Sequence, residues 1–192
     1  MIGMSAYIKP PKKIPFFLKL GIWISNKVTG KDLLPPKLLA WYPKAAIGSG
    51  ILESLVAHGN KDLDSRILKL VRIQCSLAAS CPFCIDMNAF EYGKDGITEE
   101  ELAVLQGKLD LKQVTTFSAR EKLALDYSKG ISSTPVSFAP TLIHELKEHF
   151  SEREIVILAT TSAQVNYWAR MIAALGVPPA GFSNKPYITL DS

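Results

Sequence analysis

Histidine and cysteine are both scarce in this chain, three of each in 192 residues, and the scarcity narrows the chemistry. Three cysteines, of which only Cys81 and Cys84 are close, do not make the disulfide framework of a small secreted domain. No second C-x-x-C completes a four-cysteine zinc site. His144 and His149 are five apart, on different faces of a helix, and His58 stands alone, so no two-histidine metal site is expected. A reducing cytoplasm with one labile pair suits this usage.

Acid is missing from the first 31 residues: Lys9, Lys12, Lys13, Lys19, Lys27 and Lys31 all precede Asp32. The net charge of +4 and the pI near 8.9 come largely from that end, and the remainder is close to neutral. No arginine-rich stripe or recognised module accompanies these lysines, so nucleic acid is not an expected partner. Long apolar runs are lacking too. The run Ile14 to Ile24 is too short to span a bilayer and carries Lys19. It reads as a helix packing on its own subunit or a neighbour; contact with a membrane surface and an export signal are the alternatives. No hairpin signal, repeat or low-complexity tract is found.

What is present is helical pattern in a globular composition, 47% hydrophobic and 21% charged. The expected organisation is a basic arm or helix over residues 1–33, one helical domain over 34–180 and a tail over 181–192. Leu34-Pro35-Pro36 reads as a break, Lys37 to Tyr42 as a short helix, and Pro43 as an interruption or the start of a helix to about Ala57, stopped by His58-Gly59-Asn60. Asp62 to Ala79 is apolar on too many sides for a surface helix and predicts a buried central one. Thr98 with Glu101, Ser118 with Glu121 and Ser151 with Glu154 have capping-box spacing and predict helix starts. These open helices near 99–107, 118–130 and 152–175, with a further amphipathic helix over Ala139 to Phe150. The fold class is all-α.

The segment Cys81-Pro82-Phe83-Cys84 carries the chemistry. Two thiols at this spacing can close a small disulfide, and a helix starting there points unpaired N–H groups at the first sulfur. Pro82 suits a first helical position. The helix is expected to run to about Tyr92, ended by Gly93 or Gly96. Redox chemistry, structural thiols and a metal site all remain open at this point, while Cys75, inside a dense apolar stretch, reads as core.

With its surroundings, this segment resembles the alkylhydroperoxidase D-like and carboxymuconolactone decarboxylase superfamily. The likeness is carried by Leu68 to Arg72, Cys81 to Asp86, Gly93 to Glu101, Ser118 to Tyr127, Phe150 to Glu152 and Asn166 to Pro178. It implies an all-α homo-oligomer, a dimer, trimer or hexamer, with no cofactor. In peroxidase members the second cysteine attacks the peroxide and the first resolves the sulfenic acid, so the resemblance implies Cys84 as peroxidatic and Cys81 as resolving. A small peroxide or other small molecule and a thiol or dithiol reductant would be the partners.

Two positions depart from that pattern. Where the peroxidases have a glutamate twelve residues before the first cysteine and a histidine four after the second, this chain has Lys69 and Asn88. Asn88 shares a helix face with Cys84 and can donate a hydrogen bond, but it accepts no proton at neutral pH. Lys69 reads either as a cation near the thiolate or as a solvated lysine. Asp86 and Glu91 read as solvated or capping carboxylates. The expectation is a thiol-disulfide oxidoreductase or peroxidase with weak or altered activity. A decarboxylase-type lyase and a non-catalytic oligomeric binding protein are the alternatives.

Overall fold

The computed structural model describes residues 5–55, 58 and 62–183. These form α1 (Phe16–Thr29), α2 (Leu34–Leu39), α3 (Pro43–Leu55), α4 (Ser65–Ala78) and α5 (Pro82–Asn88), then α6 (Glu99–Leu105), α7 (Ala119–Ser132), α8 (Pro140–His149) and α9 (Glu152–Ala174). Among the described residues there is no strand, and no helix is long and apolar enough to cross a membrane. Gly59, Asn60 and the tail beyond 183 lie outside the described residues.

The central helix is α4. Ile67, Leu68, Val71 and Cys75 enter a core with α7, α8 and α9, whereas Leu70 and Ile73 enter a second core with α6 and Phe117. Val71, Ile73 and Cys75 are fully buried, and the two branched aliphatics among them each contribute about 1.5–3 kcal/mol relative to exposure. A third core joins Leu33 and Leu38 to Cys81, to Phe83 and Cys84 on α5 and to Ala169 and Ile172 on α9.

The three capping boxes form, and their glutamates do more than cap. Glu101 accepts from the Thr98 N–H with Oε2, at 2.9 Å, and from the Arg66 guanidinium with Oε1, at 2.6 Å. Glu121 divides its oxygens in the same way between Ser118 N–H, at 2.7 Å, and Arg66 Nε, at 2.6 Å. Arg66 therefore ties the starts of α6 and α7 to the start of α4. At the far end, Arg120 donates to Glu154 at 2.6 Å and to the His149 carbonyl at 2.6 Å, joining α7 to the α8–α9 turn.

Two boundaries differ from the sequence expectation. Pro35 and Pro36 lie in the first turn of α2 instead of ahead of it, where a missing N–H leaves no helical bond unmade. The cysteine helix ends at Asn88, and Glu91 adopts a left-handed conformation, φ 54°. Glu91 consequently leaves the helix face of Cys84 and pairs with Lys94 at 2.7 Å. Gly96, at φ 71°, supplies the left-handed residue that ends the following 3-10 turn, Tyr92–Asp95.

The Arg66 clamp has a testable cost. Burial alone would raise the Glu101 carboxyl, but hydrogen bonds from Thr116, Arg66 and the Thr98 backbone hold it below its ordinary value of 4.5. A depressed folded pKa contributes stability above the unfolded value that is lost as pH falls through the folded one. Arg66→Met strands Glu101 and should cost about 3–5 kcal/mol by urea denaturation at neutral pH. It should also flatten the loss of stability that the native chain shows as pH falls below about 4.5. A neutral-pH cost under about 1 kcal/mol would mean that the clamp is not what holds these helix starts.

Candidate functional site

The site begins where α4 stops. Ser80 takes a left-handed conformation, φ 48°, its N–H donating to the Leu77 carbonyl at 2.9 Å, while the Cys81 N–H donates to the Ser76 carbonyl at 3.2 Å. These two bonds form a Schellman motif, a position that usually takes glycine. A left-handed serine costs on the order of 1 kcal/mol, and backbone strain of this kind clusters at functional sites. The motif turns the chain so that Cys81, extended at φ −100° and ψ 101°, becomes the N-cap of α5, with Pro82 as its first residue.

Cys81 caps through sulfur: the Cys84 N–H donates to Cys81 Sγ at 3.2 Å. The two cysteines are joined as a disulfide with Cα atoms 5.3 Å apart. Both are nearly excluded from solvent, Cys81 at 1% and Cys84 at 2%, but their surroundings differ. Cys84 lines a cavity of about 460 Å3 and Cys81 does not.

The cavity lies between α1, α2 and α3 on one side and α4, α5 and α9 on the other. Its walls are largely apolar, with Leu18 and Ile22 from α1, Leu39 from α2, Met87 from α5, and Val165 and Ile172 from α9. Polar groups also reach it. The Glu53 carboxylate accepts from Gln164 Nε2 and from the Trp168 indole at 3.0 Å, joining α3 to α9. Burial pushes the Arg72 guanidinium below its usual pKa, opposed by the Glu53 and Asp95 carboxylates.

Asn88 also lines the cavity. Its amide donates to Ser76 Oγ at 2.9 Å, and that hydroxyl donates to the Arg72 carbonyl at 2.7 Å. The amide is thereby held by α4 beside Cys84. Lys69 lies elsewhere: its ammonium donates to the Phe90 carbonyl at 2.7 Å, burial lowers its pKa, and it is not part of the cavity wall. Of the four residues singled out from sequence, the cavity brings together Cys84 and Asn88.

The remaining candidates have structural partners. Asp86 accepts from the backbone N–H groups of Phe182 and Ser183 at 3.0 and 2.9 Å, pinning the end of the described chain onto α5. His58 meets Thr161 at 2.9 Å, and burial lowers its pKa. Cys75 is sealed among α4, α7 and α9, with its thiol pushed up by burial. Among the described residues no cluster of histidine, cysteine and carboxylate could hold a metal ion.

Glu53, Arg72, Gln164 and Trp168 were not singled out from sequence. A signal existed for two of them, since Arg72 interrupts the densest apolar stretch and Glu53 is the acid within α3. Joining Glu53 to Gln164 and Trp168 required knowing that α3 and α9 face each other.

No protein-family model matches the chain. It is similar to the uncharacterized protein YnjA of Escherichia coli (strain K12), 26% identical over 180 residues that span 93% of this chain and 97% of YnjA. It is also similar to the uncharacterized protein YdfG of Bacillus subtilis (strain 168), 29% identical over 140 residues, 72% of this chain and 93% of YdfG. Among solved structures, the apo debrominase Bmp8 aligns with a TM-score of 0.75 at 17% identity, over 94% of this chain and 95% of that one. A cysteine-to-alanine variant of the debrominase has been solved with 2,3,4-tribromopyrrole. The alkylhydroperoxidase AhpD core of an uncharacterized peroxidase-related protein from Ralstonia eutropha JMP134 aligns with a TM-score of 0.74 at 15% identity, over 93% and 94%. Since both alignments follow almost the whole path of the backbone, from α1 through α9, this chain has the alkylhydroperoxidase D-like fold.

Proposed function

We propose that the chain is a thiol-dependent peroxidase in which Cys84 is the attacking sulfur and Cys81 the resolving one. The observation that carries this reading is that Cys84 both borders the cavity and is bonded to Cys81. The Cys84 thiolate attacks the terminal oxygen of a hydroperoxide, the O–O bond breaks, and the alkoxide leaves, taking a proton to become an alcohol. The Cys84 sulfenic acid condenses with the Cys81 thiol, releasing water and forming the disulfide. A dithiol then returns two electrons.

The proton relay of the peroxidases is altered here. Asn88 accepts no proton, and no histidine is among the described residues lining the cavity. The carboxylate that reaches the cavity is Glu53, which already accepts from Gln164 and from the Trp168 indole. Slow turnover is the expected consequence.

The debrominase likeness favours a second reading of the same pair. A thiolate that displaces an alkoxide from a peroxide oxygen can displace a ring carbon from an electrophilic halogen. The carbon then takes a proton, and the second thiol expels halide from sulfur. Both readings leave one disulfide per turnover.

Stoichiometric hydrogen peroxide, added to the dithiol-reduced protein, should restore the Cys81–Cys84 bond by peptide mass. Cys81→Ser should trap a Cys84 sulfenic acid that dimedone labels, and Cys84→Ser should consume no peroxide. Cys75 should stay unmodified throughout, as its burial requires. Undiminished consumption by Cys84→Ser sinks the proposal.

We propose further that the partner is a second copy of the chain. On α1 the cavity takes Leu18, Ile22 and Ser25, while Phe16, Leu20 and Trp23, at i, i+4 and i+7, form an apolar stripe on the opposite face. Phe16 is 86% and Trp23 56% exposed in the single chain, and a stripe of this kind marks an interaction surface. The same stripe presented by another copy across a two-fold axis is its complement. Light scattering should give a dimer or larger at micromolar concentration, and Leu20→Glu with Trp23→Glu should give monomer. A native chain already monomeric would assign the stripe to another partner.

A further inference from the structure

Two glycines on the cavity wall have no backbone reason to be there. Gly21 lies within α1 and Gly50 within α3, both with ordinary helical backbone, and a Cβ built at either meets no atom within 4 Å. Neither a left-handed turn nor a close helix crossing requires them, and glycine inside a helix is destabilising relative to alanine. Both line the cavity, one from α1 and one from α3 among the helices that surround it, and both are exposed, which places them at its mouth.

Size gives the complementary argument. A cavity of about 150 Å3 lined by aliphatic and aromatic side chains already accommodates benzene. The space in front of Cys84 is about 460 Å3, within the range of sites that enclose whole organic ligands. Hydrogen peroxide fills only a small part of it. The largely apolar walls, which Glu53, Arg72 and Asn88 also reach, suit a molecule with a hydrophobic ring body and a polar or polarisable group.

We infer that Gly21 and Gly50 are specificity residues: their missing side chains open the passage between α1 and α3 through which a bulky, ring-bearing apolar molecule reaches Cys84. The inference rests on Cys84 being the reacting sulfur, but it concerns which molecules arrive there, so it can be tested without any peroxide or halogen chemistry. Gly48 supplies the control. It lies on α3 with open space around a Cβ, as at Gly50, and is not part of the cavity wall.

The experiment reduces the protein with a dithiol, removes the reductant and alkylates the native chain with either iodoacetamide or N-phenylmaleimide, reading the rate at Cys84 by peptide mass. In the native chain both reagents should label Cys84. Gly21→Leu and Gly50→Leu should each slow N-phenylmaleimide by at least about tenfold while changing iodoacetamide by no more than about twofold. Gly48→Leu should alter neither, and Gly21→Ala and Gly50→Ala should fall between while raising the thermal midpoint, as expected of helical glycines without a packing role. An unchanged ratio of the two rates in the leucine and alanine variants overturns the inference, as does N-phenylmaleimide failing to reach Cys84 in the native chain when iodoacetamide does. If the size dependence holds and peroxide still forms no disulfide, the peroxidase reading fails and the entry route stands.

Discussion

Burial of α4 on every side is the constraint from which the rest of the structure follows. One set of its side chains packs with α7, α8 and α9 and another with α6. Between them, Arg72 lines the cavity and Ser76 accepts from Asn88. A helix so enclosed cannot shift along its axis without disturbing two cores, because close-packed interiors resist displacement of even one methylene. Its ends are fixed to match. Asp64 caps the start by accepting the Arg66 N–H at 2.9 Å, Arg66 clamps two other helix starts, and the Schellman bonds at Ser80 fix the exit. The position of Cys81 is inherited from that exit.

Much of this was legible in the sequence because it is local. The three capping boxes depend on a hydroxyl and a glutamate three apart, and each forms as the spacing requires. The all-α class and the buried character of α4 followed from apolar periodicity over many residues, which averages out local exceptions. The failures are of another kind. The left-handed exit of α4 was invisible because Ser80 occupies a position where glycine would have announced it. The early end of α5 was missed because Glu91, a good helix former, is left-handed here.

The cavity was illegible for a more general reason. Glu53 lies more than a hundred residues from Gln164 and Trp168 in sequence, and nothing in their local pattern predicts that α3 and α9 meet. Lys69 shows the converse. A cation twelve residues before Cys81 read either as a neighbour of the thiolate or as a solvated lysine, yet its ammonium reaches the carbonyl of Phe90 beyond α5. Helix spacing gives the face a side chain leaves from, while the crossing of two helices decides what it meets.

The asymmetry between the two sulfurs bears on both halves of the proposed cycle. Only Cys84 borders the cavity, so a substrate arriving there meets that sulfur, and so does a reductant approaching by the same route. Attack on Cys84 forms a mixed disulfide and expels Cys81 as the leaving thiolate. That thiolate already has a donor in place, the Cys84 N–H at 3.2 Å, and a stabilised leaving thiolate departs faster in exchange. The hydrogen bond that caps α5 thus disfavours the opposite polarity, in which Cys81 would be attacked from within the core and Cys84 released. In the proposed cycle, one local feature, a cysteine used as an N-cap, orders the two thiols, with Asn88 where the peroxidases have a histidine.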